Sequence, residues 1–272
     1  MPHPILQPQP VYNARQLGAR EMMEDDALLA LWEQEEREPF AGWDFSHLDG
    51  RYREESPDWS YDERVRAALA QADSVLDMGT GGGEKLLEFA GALPADTVAT
   101  EGYPPNIPVA RASLQPHGIE VVAYDCEHDA RMPFPDHRFA LILNRHEAYD
   151  AREIARVLRP GGVFCTQQVD GRDMEDLYAL FGVKTAYGHV TLANFRQEIE
   201  AAGLTVQAAL DWKGKATFAD VGALVYFLHA VPWEAPRDFS ARRYREPLLA
   251  LHQRPRIEGS IRRFFLQAVK PG

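Results

Sequence analysis

From Tyr61 onward, short apolar runs alternate with amphipathic segments, and this alternation limits the possible fold more than any other feature of the chain. Residues 62–72, DERVRAALAQA, carry helical periodicity and precede the apolar run SVLDM at 74–78. A glycine run, GTGGG, follows at 79–83, then a helical segment over 84–93 that Pro94 closes. DTVATE at 96–101 reads as a second strand. Pro104, Pro105 and Asn106 open a helix that ends near His117 and Gly118. Further strands are expected at 119–125 (IEVVAYD), 138–144 (RFALILN), 163–169 (VFCTQQV), 205–212 (TVQAALDW) and 264–270 (FFLQAVK). Between them, AREIARVLRPGG at 151–162 reads as a helix ended by a Pro-Gly-Gly turn, and LANFRQEIEAAGL at 192–204 as a helix closed by Gly203. The strand cores are continuous apolar runs, as a sheet buried on both faces requires, so the expected class is α/β with a doubly wound parallel sheet.

Residues 1–60 do not share this pattern and are expected to form a loose arm and a helical or lid-like extension before a main domain at 61–272. Within 21–38, Met23, Ala27, Ala30 and Leu31 recur at near-helical spacing, with acids on the other side and Pro39 as a stop. The stretch 41–59 mixes aromatic and polar residues without a period and is read as a loop or short-helix segment. A second departure is an insertion near 213–260, whose most apolar part, Gly222 to Val231, is about half of a ~20-residue membrane span and reads as a buried strand or helix. No membrane association is expected. The N-terminal residues MPHPILQPQP lack a basic region followed by an apolar core, which argues against a signal peptide. The two cysteines, Cys126 and Cys165, sit in apolar surroundings and suit reduced thiols in a cytoplasm, and neither CxxC nor HxxxH spacing points to a metal.

The formal net charge of −12 opposes unselective binding to nucleic acid or anionic membrane. Charge is unevenly spread: eight acids against Arg37 between Glu21 and Glu38, and eight arginines against Asp238, Glu246 and Glu258 between Arg237 and Arg263. Two solvated faces that contact each other, or an arginine-bearing surface for an acidic substrate, both fit this distribution.

The glycine turn carries the chemistry. Gly79 and Gly81 permit a sharp turn and let a ligand approach the main chain, at the carboxyl end of a strand where ligands of open α/β sheets bind. Glu101 ends the second strand about 20 residues on, where an acid accepts hydrogen bonds from ribose hydroxyls. Asp125 ends the third, placed for an adenine exocyclic amine, and the Cys126 backbone N–H can serve a ring nitrogen. A nicotinamide nucleotide would set its pyrophosphate against this turn, and Asp77 before the glycines and Glu84 after them would repel it. Acids there suit a ligand with an ammonium and a sulfonium, which favours S-adenosylmethionine over NAD.

With these residues in view, VLDMGTGGGE resembles motif I of the class I S-adenosylmethionine-dependent methyltransferases, Glu101 resembles their ribose-binding acid, and Asp125 with Cys126 their adenine-binding position. FALILNRHEA resembles the fourth-strand motif, and EIARVLRPGGVFC the helix–turn–strand that follows it. The resemblance spans roughly residues 61–270. It implies a Rossmann-like sheet of seven strands, mostly parallel with the last antiparallel, and S-adenosyl-L-methionine as cofactor, held by Asp77, Met78, Gly79, Thr80, Gly81, Gly83, Glu101, Gly102, Asp125, Cys126 and Asn144. The N/D-P-P-Y/F form that enzymes methylating exocyclic base amines carry is replaced here by Asn144-Arg145-His146-Glu147.

A sulfonium is already a strong electrophile, so catalysis needs in-line positioning and exclusion of water, with a base only for a protonated nucleophile. His146 is the candidate base or substrate-positioning group, and Glu147 is either a second catalytic candidate or the first charge of the next helix. Trp43, Phe45, His47 and Tyr103 are candidate lid or substrate contacts, or packing. The expected reaction is methyl transfer to a small-molecule acceptor. A ring-nitrogen RNA base methyltransferase, a nicotinamide oxidoreductase and a non-catalytic cofactor-binding module are the competing readings.

Overall fold

The alternation seen in the sequence becomes one sheet. The computed structural model describes residues 25–40, 45–231 and 235–272. In chain order its elements begin with α1 (Asp25–Glu35), β1 (Tyr52–Glu54), α2 (Tyr61–Leu69), β2 (Ser74–Met78), α3 (Glu84–Leu87), β3 (Asp96–Glu101) and α4 (Asn106–Leu114). They continue with β4 (Glu120–Ala123), β5 (Phe139–Arg145), α5 (Ala151–Val157), β6 (Leu158–Val169), α6 (Glu175–Leu180), α7 (Leu192–Ala201), β7 (Thr205–Phe218), α8 (Val221–Ala230), α9 (Arg245–His252) and β8 (Ile257–Val269). The strand order is β1-β7-β8-β6-β5-β2-β3-β4. Strands β6, β5, β2, β3 and β4 pair parallel, and β8 runs antiparallel to β6.

Helix starts follow local chemistry. Ser60 accepts from the N–H of Glu63 at 3.1 Å, Asp150 from Arg152 at 2.7 Å, Thr191 from Asn194 at 3.3 Å and Asp220 from Ala223 at 2.8 Å, each satisfying a donor the helix leaves free. The apolar strand runs are buried on both sides. Leu76, Met78, Ile142 and Phe164 face one cluster with Ile154 and Ile199, while Val75, Leu141, Leu143 and Cys165 face another with Tyr61 and Val65. Alternate residues of β2, β5 and β6 therefore project to opposite faces of the sheet.

Several expectations are corrected. The sheet has eight strands, because Tyr52–Glu54 adds an edge strand through the Glu55 N–H donating to Lys215 O at 3.0 Å. Residues 84–93 do not form one helix but a single α turn followed by a 3-10 turn at Ala90–Ala92. The Pro-Gly-Gly segment lies inside the extended run Leu158–Val169, whose pairing with β5 shifts register between Phe139 and Leu141; Gly161 takes φ +77° there. The apolar run at 222–231 is helical, and its residues are nearly all buried. No helix among the described residues is long and apolar enough to cross a membrane.

The described residues part into two compact units, 25–39 with 218–231 and 235–257, and 40 with 45–217 and 258–272. In the first, α1 packs on the buried helix α8, and Trp32 meets His252 of α9 with ring centroids 6.1 Å apart. The acidic and arginine-rich segments neutralise each other here: Arg242 pairs with Glu33 at 2.7 Å, and Arg245 with Asp26 at 3.1 Å. The second unit holds the parallel sheet. Phe164 is fully buried in its larger core, with Tyr149 edge-on at 5.0 Å. We expect Phe164→Ala to cost about 3–5 kcal/mol, the range for an aromatic cavity, read as a lowered denaturant midpoint at unchanged m-value.

Candidate active site

The glycine turn leaves the end of β2 and is fixed from both sides by backbone. The Thr80 N–H donates to Thr100 O at 2.9 Å, and the Gly83 N–H to Thr80 O at 3.0 Å. Gly79, Gly81 and Gly83 have φ of +62°, +62° and +92°. Glu101, at the tip of β3 and only 5% exposed, latches the turn: its carboxylate accepts from the Gly81 N–H at 2.6 Å and the Tyr103 N–H at 2.8 Å. A carboxylate can accept about four hydrogen bonds, so capacity remains for ribose hydroxyls.

Parallel pairing of β3 and β4 brings the next acid alongside. A Cβ added at Gly102 would lie 3.1 Å from Asp125 Cα and Cβ, so only a glycine leaves this approach open. Asp125 accepts from the Glu127 N–H at 2.9 Å and pairs with the His128 ring at 2.8 Å, which holds its carboxyl below the usual range. Cys126 is half-buried against the core, and burial with nearby Glu147, Glu127 and Asp125 pushes its thiol up to about 12. It is no nucleophile.

The fourth acid arrives from β5. A Cβ at Gly79 would sit 2.5 Å from Glu147 Cγ and 2.7 Å from Glu147 Oε2, so the Glu147 side chain lies directly over the glycine turn. His146, at φ +60°, makes the backbone reversal that puts it there, and its N–H donates to Gln167 O at 2.9 Å. Left-handed backbone at a non-glycine residue is strained and concentrates at functional sites. Asp77, Glu101, Asp125 and Glu147 thus converge around one turn. Burial pushes Asp77 up to about 7, with repulsion from Glu101 adding; burial pushes Glu147 to about 7, with Glu101 and Asp125 adding; burial raises Glu101 as well. Among the described residues, no Lys or Arg forms an ion pair with Asp77, Glu101 or Glu147.

Asn144 closes the floor, fully buried and in register with Met78. Its Oδ1 accepts from Thr166 Oγ1 at 2.7 Å and from Gln168 Nε2 at 2.6 Å. Gln168 Nε2 also donates to Glu147 O at 2.9 Å, which fixes both amide orientations. Asn144 Nδ2 is then a buried donor with no partner. Unsatisfied buried polar groups are costly and await a ligand atom or water. This donor set fits S-adenosylmethionine: carboxylates for its ammonium, sulfonium and ribose, and an amide donor for its carboxylate.

The other candidates differ. Met78 is 2% exposed with its side chain in the core, so only its backbone borders the turn. A Cβ at Gly83 would meet the Leu114 side chain at 2.7 Å, so this glycine serves the packing of α4. Tyr103 is 62% exposed beside Glu101. The described contacts of Phe45 and His47 are with Phe40 and Arg51, leading toward the β1 edge rather than the β2–β4 tips. Trp43 and Trp233 lie outside the described residues. His146 keeps some solvent-exposed surface, yet the protein packed around it lowers its pKa by desolvation, and the charges of Arg145 and Arg263 add to this. Sequence reasoning missed Thr166 and Gln168, although their signal is plain: in the apolar strand VFCTQQV three consecutive polar residues precede the final Val169.

Comparison with known proteins finds methyltransferase relatives. Residues 75–162 match the family model described as a methyltransferase domain. The chain is 31% identical over 108 residues to YcgJ of Bacillus subtilis, described as an uncharacterised methyltransferase; that stretch is 37% of this chain and 42% of YcgJ's length. The YcgJ crystal structure superposes with a TM-score of 0.54 at 18% identity, covering 78% of this chain and all of that one. A Bacillus halodurans protein described as a candidate methyltransferase gives 0.57 at 19%, with the same coverages. Residues 75–162 thus resemble a methyltransferase domain, and the chain shares the fold of these structures.

The raised carboxyls have a consequence for folding. A carboxyl whose native pKa lies above its unfolded value of about 4 binds its proton more tightly in the native state, so it costs stability as pH rises toward that native value. Ligand-free protein should lose stability from about pH 4 to about pH 7 through Asp77 and Glu147. The variant Asp77→Asn/Glu147→Gln should lose less over that window in urea titrations. Coincident slopes would contradict the assignment.

Proposed function

We propose that this chain is an enzyme that transfers the methyl group of S-adenosylmethionine to a small-molecule acceptor. The observation that carries the reading is the group of Asp77, Glu101 and Glu147 at the strand tips, withdrawn from water and with no Lys or Arg paired to them among the described residues, beside an unpartnered amide donor. When bound, S-adenosylmethionine supplies a sulfonium-activated methyl group that passes to a nucleophile while sulfur keeps the bonding electron pair. Glu101 binds the ribose hydroxyls and Asp125 with the Cys126 N–H receives the adenine edge. Asp77 and Glu147 neutralise the ammonium and favour the sulfonium over its neutral product. Asn144 Nδ2 binds the carboxylate end.

His146, held below its ordinary pKa, is neutral near pH 7. A weakly basic imidazole suits accepting a hydrogen bond from the acceptor and orienting it more than removing its proton. Pairing of Arg242, Arg243, Arg245, Arg262 and Arg263 with carboxylates supports a small molecule over RNA, because those charges are already compensated.

Calorimetry with S-adenosylmethionine tests the reading. Asp77→Asn and Glu101→Gln should each weaken binding by about 1–3 kcal/mol, the scale of a charge-assisted hydrogen bond. A cationic ligand should pull the Asp77 and Glu147 pKa values down, so binding near pH 7 should release protons, seen as a buffer-dependent heat. Equal affinity in both folded variants, with no proton release, would remove the assignment.

A further inference from the structure

The site divides by charge. The acids gather at the tips of β2, β3 and β4, whereas the end of β5 carries a cation on one particular face of the sheet. Residues 141 and 143 of β5, Val75 of β2 and Cys165 of β6 all pack toward α2, so strand alternation puts Asp77, Arg145 and Gln167 on that same face. Arg145 is in register with Gln167, and Gln167 with Phe265. Trp59, half-buried, stands over this row and donates from Nε1 to Gln167 Oε1 at 3.3 Å. Arg64 of α2 lies on the same face, its guanidinium carbon 5.0 Å from the centre of the Phe265 ring.

These two arginines differ from the ion-paired ones around them. In the same unit Arg138, Arg156, Arg159, Arg172 and Arg263 each pair with a carboxylate at 2.5–2.8 Å. Among the described residues, neither Arg145 nor Arg64 has an ion-pair partner. Arg145 is exposed at the mouth of the site, next to His146 in its strained conformation. Asp77 is the acid on that face, but it lies under the glycine turn, beyond ion-pair distance, where the cofactor's cationic groups would occupy it. The Arg145 charge opposes the rise that burial imposes on Asp77 and on the buried Tyr61, and it adds to the lowering that burial imposes on His146, so all three lie within its field.

We propose that Arg145 anchors the acceptor subsite, and that the methyl acceptor is a small molecule bearing a carboxylate or phosphate group with an apolar body that rests on Trp59. This deepens the methyl-transfer reading and rests on it. The guanidinium fork matches the two oxygens of such an anion, which a point charge would not orient. Gln167 and His146 then face the part of the acceptor nearest the methyl group, and Arg64 adds a second positive charge without competing for the same cofactor acids.

The test uses the full chain saturated with S-adenosylhomocysteine and titrated with benzoate, inorganic phosphate and benzamide, read by calorimetry and by Trp fluorescence. Benzoate should bind with a dissociation constant of roughly 1–10 mM, fragment scale for an ion-paired aromatic acid, and neutral benzamide more weakly. Arg145→Gln should weaken benzoate and phosphate at least tenfold, Arg145→Lys less, and S-adenosylhomocysteine affinity should stay unchanged in both. Benzoate and phosphate that do not bind the loaded wild-type chain, that bind Arg145→Gln equally well, or that do no better than benzamide would overturn the subsite. Failure of S-adenosylhomocysteine to bind at all would instead bring down the methyl-transfer reading, and this inference with it.

Discussion

The structure turns on the contact between one carboxylate and two backbone amides. Glu101 takes the N–H groups of Gly81 and Tyr103, and so binds the loop after β2 to the loop after β3. That latch sets the width of the strand-end crevice and aims the free capacity of the carboxylate into it. The surrounding geometry follows. Gly102 lets Asp125 approach from β4, and Gly79 leaves room for Glu147 from β5, so four acids from four adjacent strands share one turn. Their repulsion opposes full ionisation of the cluster until a cation arrives, and a ligand carrying an ammonium and a sulfonium relieves that repulsion more than a pyrophosphate could.

Charge is arranged as deliberately around the acids as within them. The arginine-rich C-terminal segment, which by count alone suggested a surface for an acidic partner, is largely spent on local carboxylates such as Glu33, Asp26 and Asp173. Among the described residues, Arg145 and Arg64 remain without an ion pair near the site. The same β5 terminus therefore sends Glu147 to one side of the crevice and Arg145 to the other, with the strained His146 between them making the reversal.

Much of this was legible in the sequence because it depends on local pattern. Continuous apolar runs such as SVLDM and FALILN suit a sheet covered on both faces, and the glycine turn with acids at successive strand ends marks the candidate site. The parts that were not legible are set by tertiary context. Tyr52–Glu54 has no strand pattern of its own and is extended because β7 offers it a free edge. EKLLEFAGAL has helical composition, yet only Glu84–Leu87 is α-helical and a 3-10 turn follows at Ala90–Ala92. The position of Glu147 over Gly79 depends on the φ of His146, which no spacing rule announces, and Met78 was read as a contact although its side chain belongs to the core.

The central claim is that the strand-tip acids select a cationic nucleoside over an anionic dinucleotide. Parallel calorimetric titration of the full chain with S-adenosylmethionine and NAD tests it most directly. The account predicts saturable one-to-one binding of S-adenosylmethionine that excess NAD does not displace. Binding of NAD that excludes S-adenosylmethionine would contradict it.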